Sequence, residues 1–269
     1  MPAEAAASPS TVLVTGASSG IGEALAHCFA RDGHRLVLVA RRASRLRALA
    51  ESLRNEHGTH VDVVPTDLAR RGAAATLAAM LRRRRRAIDV LVNNAGVLGL
   101  GAFVGSSAAQ RHRMIDLNVS GLTDMLAAFV PAMVRRGHGR VLNVASIAAF
   151  VPVPSLAVYA ASKAYVLSLT ESLAEELRDT GVTITALCPG ITATAMFTRA
   201  IRDNARVAEL PGFVVGDVRD VAAAGYLACM AGATITVPGA LNRAASVAGR
   251  ATPKWLLRRI AGVVGRRMI

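Results

Sequence analysis

In the segment Tyr159-Ala160-Ala161-Ser162-Lys163, a phenol and an ammonium stand four residues apart. On a helix, that spacing puts both side chains on one face. Both types are scarce here: the chain has three tyrosines and two lysines, and the other thirty of its 32 cationic residues are arginine. A lysine kept in so arginine-rich a chain suggests a need for a slim point charge rather than a planar fork. Tyrosine titrates at about 10, too high for ready proton exchange near neutrality, and an adjacent cation lowers that value. The pair can therefore give and take a proton at an oxygen atom. Ser146, thirteen residues upstream, adds a hydroxyl able to orient a carbonyl and stabilise an oxyanion.

These side chains need elements to position them. With 269 residues, 52% hydrophobic and 19% charged, the chain suits one large α/β domain with a buried core. Aromatics make up 4%, so that core is expected to be mostly Ala, Val and Leu. Strands are expected at 11–15, 35–39, 61–64, 90–92, 140–144 and 183–187, with 234–237 as a candidate seventh. Helical patterns start near Glu23, cover 43–56, start again near 72, and extend over 107–136 and 157–178. The first strand ends in Gly16-Ala-Ser-Ser-Gly20-Ile-Gly22, directly before a helix. Strand, glycine turn and helix N-terminus together present backbone N–H groups to a phosphate. Gly16 suits the tight turn, Gly20 a close approach by a pyrophosphate, and Gly22 the packing of helix on strand. The G-x-x-x-G-x-G spacing differs from the commoner G-x-G-x-x-G.

Thr15-Gly-Ala-Ser-Ser-Gly-Ile-Gly22 resembles the cofactor motif of the short-chain dehydrogenase/reductase family, in its compact single-domain branch, and the likeness extends from about residue 10 to 238. Asn93-Asn94-Ala95-Gly96 is similar to the family's sheet-steadying N-N-A-G. Asn143-Val-Ala-Ser146 with Tyr159 and Lys163 reproduces its Ser…Tyr-x-x-x-Lys arrangement, and Pro189-Gly190-Ile-Thr192-Ala-Thr194 its P-G-x-x-x-T turn. The resemblance implies a doubly wound Rossmann fold, a central parallel sheet of about seven strands with helices on both faces. It implies catalysis by Ser146, Tyr159 and Lys163, with Asn118 holding a relay water through its backbone. The cofactor would lie on Gly16, Ser18, Ser19, Gly20, Ile21 and Gly22, then on Asp67 and Leu68, with Asp67 on the adenine amino group. It would continue over Asn94, Ala95, Gly96, Tyr159 and Lys163 to Pro189, Gly190, Thr192 and Thr194. After the second strand, where a carboxylate would hold a ribose 2′-OH, the chain has Arg41 and Arg42, and no acid occurs from Gly33 to Ala50. Two arginines there would attract a 2′-phosphate, so NADP(H) is expected over NAD(H); two solvated arginines at a helix start are the alternative.

The expected activity is interconversion of an alcohol and a ketone or aldehyde, with hydride from the nicotinamide and no metal required. A non-catalytic nucleotide sensor on the same fold, or an epimerase or dehydratase, are the competing readings. Residues 191–215 are expected to form a lid, whose apolar Met196 and Phe197 favour a lipophilic substrate. Residues 1–10 read as a flexible N-terminus without signal-peptide character, 11–238 as the reductase domain, and 239–269 as a basic extension. From Pro253 onward, apolar positions fall on one helical arc opposite Lys254, Arg258, Arg259 and Arg266. That helix either lies on an anionic membrane, with Trp255 near the interface, or packs on its own core or on a second subunit. The net charge of +14 lacks the aromatic interleaving of a nucleic-acid surface, so nucleic acid is not the expected partner. Three scattered cysteines fit a reducing, cytoplasmic setting, and the resemblance implies a homodimer or homotetramer through the 157–178 helix.

Overall fold

The computed structural model describes residues 9–194, 198, 215–252, 255, 257 and 259. Seven parallel strands form one sheet: β1 Thr11–Thr15, β2 Arg35–Ala40, β3 Val61–Pro65, β4 Val90–Asn93, β5 Gly139–Val144, β6 Val182–Leu187 and β7 Ile235–Thr236. Their order is β3-β2-β1-β4-β5-β6-β7. The chain winds outward in one direction from β1 and in the other from β4. This leaves a crevice at the carboxyl ends of those two strands, where ligands of open α/β sheets bind.

Strands buried on both faces must be apolar at successive positions, and Val12-Leu13-Val14 and Leu36-Val37-Leu38-Val39 are. Val12, Val14, Leu36 and Leu38 pack under α1 (Ile21–Arg31), α2 (Ala43–His57) and α7 (Val218–Ala231). Leu13, Val37, Val39 and Leu91 face α3 (Ala73–Arg83), α5 (Leu122–Arg136) and α6 (Ala157–Glu176) on the other side.

The expected helix over 107–136 begins at Ser107, which forms a capping box with Gln110. It runs as α4 (Ala108–Ile115), a π-helical turn Asp116–Gly121, and α5. Together Ala108–Arg136 makes one run of 29 residues, long and apolar enough to cross a bilayer, although the sequence shows no obvious spanning stretch. Half of its most apolar window is buried inside the protein, with Met125, Phe129 and Met133 in the core, so it packs as a core helix.

At the end of α3 and just past it, Arg82, Arg83, Arg84 and Arg85 are exposed, while Arg86 turns back to within 3.5 Å of Asp62. Past β7, α8 (Ala240–Ala251) packs on its own chain. A Cβ on Gly249 would lie 2.9 Å from Val151, and Arg250 stacks over Phe150 while donating to Glu171 at 3.0 Å. Residues 1–8, most of the expected lid with Met196 and Phe197, and most of the stretch after Thr252 lie outside the described residues. Trp255 is exposed.

Candidate active site

The glycine turn is shaped by what surrounds it. Gly16 and Gly20 have φ of +65° and +63°, in the left-handed region that favours glycine. A Cβ on Gly16 would sit 2.8 Å from the Ala95 Cα, and one on Gly22 would strike Asn94 Nδ2 at 2.3 Å. Gly22 thus lets the Asn94 side chain in, rather than simply letting helix lie on strand. Asn94 Nδ2 donates to the carbonyls of Thr15 (3.0 Å) and Gly16 (3.3 Å). The Thr15 hydroxyl accepts from the N–H groups of Asn94 and Ala95 and donates to Val92. The sequence reading missed Thr15 as the pin of this turn, although it stands next to the first glycine.

No side chain caps the N-terminus of α1, so its first N–H groups face the turn without an internal acceptor of that kind. Such a terminus with glycines at close approach fits a pyrophosphate. Beside it, Arg42 folds over the turn: its guanidinium donates to Ser18 Oγ (3.0 Å), Ser19 Oγ (3.1 Å) and the Ser18 carbonyl (3.3 Å). A cleft of about 280 Å³ is lined by Gly16, Ser18, Ser19, Arg41, Arg42, Asp67, Leu68, Ala95 and Gly96. The structure therefore brings together the residues expected to hold one end of a dinucleotide.

Within that cleft Asp67 accepts from the Ala69 N–H and from Arg113, 3.1 Å away. Burial alone would raise its pKa, but the Ala69 N–H and Arg113, with Arg41 nearby, hold it below the ordinary carboxylate value. Arg113 lies 46 residues along the chain from Asp67, and no local pattern could have pointed to it.

At the proton-transfer end, β5 delivers Ser146, whose Oγ accepts from the Ala148 N–H at 3.1 Å. The Ile147 N–H donates to the Pro189 carbonyl, fastening the serine loop to the turn after β6. Thr192 bonds back to Gly190 and pairs with Gly216 across the base of the expected lid. A Cβ on Gly20 would lie 3.1 Å from the Thr194 methyl, so the two cofactor turns meet. Asn118, in the π turn, makes a reciprocal pair with Val97: its Oδ1 accepts from the Val97 N–H and its Nδ2 donates to the Val97 carbonyl, both at 2.9 Å. Nδ2 also reaches Ser162 at 3.2 Å. A buried mid-helix asparagine needs such partners, and a π turn, with its altered backbone bonding, often marks a functional site. Asn93 and Asn143 continue the polar seam through the sheet to Thr170, in keeping with a sheet-steadying role.

Tyr159 and Lys163 share one face of α6, yet the ammonium is not on the hydroxyl. Lys163 reaches past the ring, its Nζ 5.8 Å from the ring centroid, and donates to the Val144 carbonyl at 2.7 Å. A four-carbon stem on the same helical face is long enough to find the end of β5. Burial pushes the Tyr159 phenol above its ordinary value, and the Ser146 hydroxyl donating toward it offsets part of this. Burial also depresses Lys163 to about 8, against a small opposing pull from Cys188. Burial and Ser146 are what shift the tyrosine, and the lysine on the same face is turned to the Val144 carbonyl.

A second cavity of about 490 Å³ opens between the loop after β4, α4 and the entry to α6. Its walls include Val97, Leu98, Phe103, Met114 and Val158, with Arg111 and Ser155. Ser155 has a φ of +67° and its carbonyl accepts from the Gly101 N–H, joining the two loops. Nothing in the sequence marked it.

A parallel sheet with a glycine turn at its switch point, and a serine, tyrosine and lysine at the end of β5 and the start of α6, defines a dinucleotide-binding α/β protein with an acid–base site. The family model for short chain dehydrogenase matches residues 10–205. The NADP-dependent 3-hydroxy acid dehydrogenase YdfG of Salmonella typhi is 38% identical over 188 residues, 70% of this chain and 74% of the relative. Among solved structures, a short-chain dehydrogenase from Sphingobium yanoikuyae in complex with NADPH is 37% identical, with a TM-score of 0.78 over 96% of this chain and 93% of that one. The bulky-bulky ketone specific alcohol dehydrogenase of Comamonas testosteroni is 33% identical, with a TM-score of 0.75 over 91% and 95%. This chain belongs to the short-chain dehydrogenase/reductase family. The Sphingobium match covers 96% of this chain and so reaches past residue 238, where the likeness legible in the sequence stops.

Proposed function

We propose that this protein is an NADP(H)-dependent oxidoreductase that interconverts an alcohol and a ketone or aldehyde on a lipophilic small molecule. The observation that carries this reading is Ser146, near enough to Tyr159 to shift its proton affinity, beside buried Lys163 at the crevice that the glycine turn and Arg42 occupy from the other side. The relatives named for NADP or NADPH and for ketone chemistry support it.

Gly16 to Gly22 and the N-terminus of α1 would hold the pyrophosphate, and Arg41 and Arg42 the 2′-phosphate. Asp67, steadied by Arg113, would meet the adenine, with Leu68 against it. Asn94, Ala95 and Gly96 would line the path to Pro189, Gly190, Thr192 and Thr194, which would receive the carboxamide end. When bound, the nicotinamide supplies the hydride. Ser146 orients the substrate carbonyl and donates to its oxygen as charge develops there. Tyr159, kept protonated by its raised pKa, gives the proton to that oxygen. Lys163, largely protonated at neutral pH with a value of about 8, stands behind it as the cation that favours tyrosinate in the reverse direction. Asn118 fixes Val97 and so the floor of the site. Ser146 and Tyr159 with Met196 and Phe197 would contact substrate, and the 490 Å³ cavity gives room for a bulky ketone.

We read residues 11–238 as the reductase domain and 239–269 as an extension. Exposed Ile115 and Tyr165, on α4 and α6, offer the surface for a homodimer or homotetramer. A cytoplasmic location agrees with three free cysteines. Because α8 packs on its own core, membrane contact through the later residues is the minor reading. NADPH oxidation with a panel of bulky ketones and aldehydes tests the function: turnover with NADPH exceeding NADH in kcat/KM is expected, and no oxidation with any carbonyl would reject it.

A further inference from the structure

On the outer side of α1 and α2, His27, Glu56 and His57 converge with their ligand atoms all within 4.8 Å of one another. His27 Nδ1 lies 3.6 Å from Glu56 Oε2, and His57 Nε2 lies 3.7 Å from the same oxygen. Both separations are too long for hydrogen bonds. They are close to the edge of a tetrahedron whose centre is about 2.0–2.1 Å from each ligand, an edge of roughly 3.4 Å. His57 Nε2 is shut off from water and makes no hydrogen bond, an unexplained state for a buried imidazole nitrogen. The rings of His27 and His57 stand edge to face with centroids 5.9 Å apart.

The carboxylate is already divided in the way a ligand carboxylate is. The Ser52 hydroxyl donates to Oε1, one helical turn back on α2, while Oε2 faces both histidines. A hydroxyl on the distal oxygen fixes the orientation of the proximal one, as outer partners of metal ligands do. Among the described residues, Ser52, His27 and His57 act on Glu56: its carboxyl is held below its ordinary value by the Ser52 hydroxyl first, with burial opposing and the two histidines adding to the lowering.

We propose that His27 Nδ1, Glu56 Oε2 and His57 Nε2 form a site for a divalent transition-metal ion of the Zn²⁺ type, with its fourth position open to water. Two imidazoles and a carboxylate suit Zn²⁺ and its analogue Co²⁺ and do not suit the oxygen-demanding Mg²⁺ or Ca²⁺. The site is separate from the proton-transfer chemistry. His27 is seven residues past Gly20, about 10 Å along α1, and Glu56 is fourteen past Arg42, about 21 Å along α2. Its effect is to tie α1 to the last turn of α2, so bound metal stabilises the fold and leaves the reaction unchanged.

The test uses the untagged full-length chain, Zn²⁺ titrated against a chromophoric chelator, and Co²⁺ absorption. One ion per chain is expected, with the intense visible bands of tetrahedral Co²⁺ and a rise in Tm on adding Zn²⁺. His57→Gln and His27→Gln should each abolish the bands and the Tm rise. Ser52→Ala should weaken Zn²⁺ by about tenfold or more. All three variants should keep the wild-type Tm without metal and wild-type turnover. Absence of saturable Zn²⁺ binding, or equal binding by wild type and both histidine variants, overturns the proposal.

Discussion

At the nucleotide end of the cleft, Arg41 and Arg42 are exposed and act from the rim, whereas at the proton-transfer end Lys163 is 5% and Ser146 9% exposed. The rim arginines sit where water and salt screen them, so the part proposed for them is attraction and selection between two similar cofactors. Lys163 and Tyr159 are withdrawn from water, and their proton affinities move in opposite directions through burial: the phenol up, the ammonium down to about 8. The same crevice thus holds exposed charges that choose a ligand and buried groups that are tuned to react.

Breaking the buried end should cost most. Tyr159→Phe should lower kcat by about 10²–10⁴-fold while NADPH still quenches or shifts protein fluorescence on binding; unchanged turnover would reject Tyr159 as the acid. Lys163→Met should reduce kcat by about tenfold to a hundredfold and move the rising limb of the pH profile of alcohol oxidation, set by ionisation of Tyr159, upward. Stopped-flow or steady-state rates against pH decide this, and an unmoved profile would assign Lys163 to holding Val144 and the cofactor only.

At the rim, Arg42→Ala should raise the KM for NADPH by about tenfold with little change for NADH or in kcat, and added salt should narrow the difference. A drop in kcat with KM unchanged would contradict the division between the two ends. The smallest effect is on stability. With the folded pKa of Lys163 depressed from 10.5 to about 8, the unfolded chain binds its proton over that window and the folded chain does not. Stability should therefore rise with pH between those values, and the penalty for burying Lys163 should be full below them. Urea unfolding of wild type and Lys163→Met at pH values inside and below that window checks it: the two should converge as pH rises.

Local signals covered much of this. The glycine turn, the N-N-A-G segment and the Tyr159/Lys163 pair are short-range patterns, each within one strand–turn or one helical turn, with Ser146 thirteen residues upstream. Their elements appear within a few residues of where periodicity puts them. What pins the turn to β4 was not legible, because the Thr15 and Asn94 partners are about 79 residues apart. Arg113 on Asp67 and Ser155 on Gly101 escaped for the same reason. Where the Lys163 ammonium ends was not legible, because helical spacing fixes which face a side chain leaves from but not where a long stem ends.

By itself the sequence determined the fold class, and it marked the glycine turn and the Ser146, Tyr159 and Lys163 set proposed for acid–base work, since backbone conformation and side-chain type depend on neighbours along the chain. Only the tertiary structure decided which groups are dry. Burial is a property of the packed sheet and helices, and it is burial that moves the Tyr159 and Lys163 pKa values, leaves His57 Nε2 without a partner, and separates the reacting end of the crevice from its charged rim.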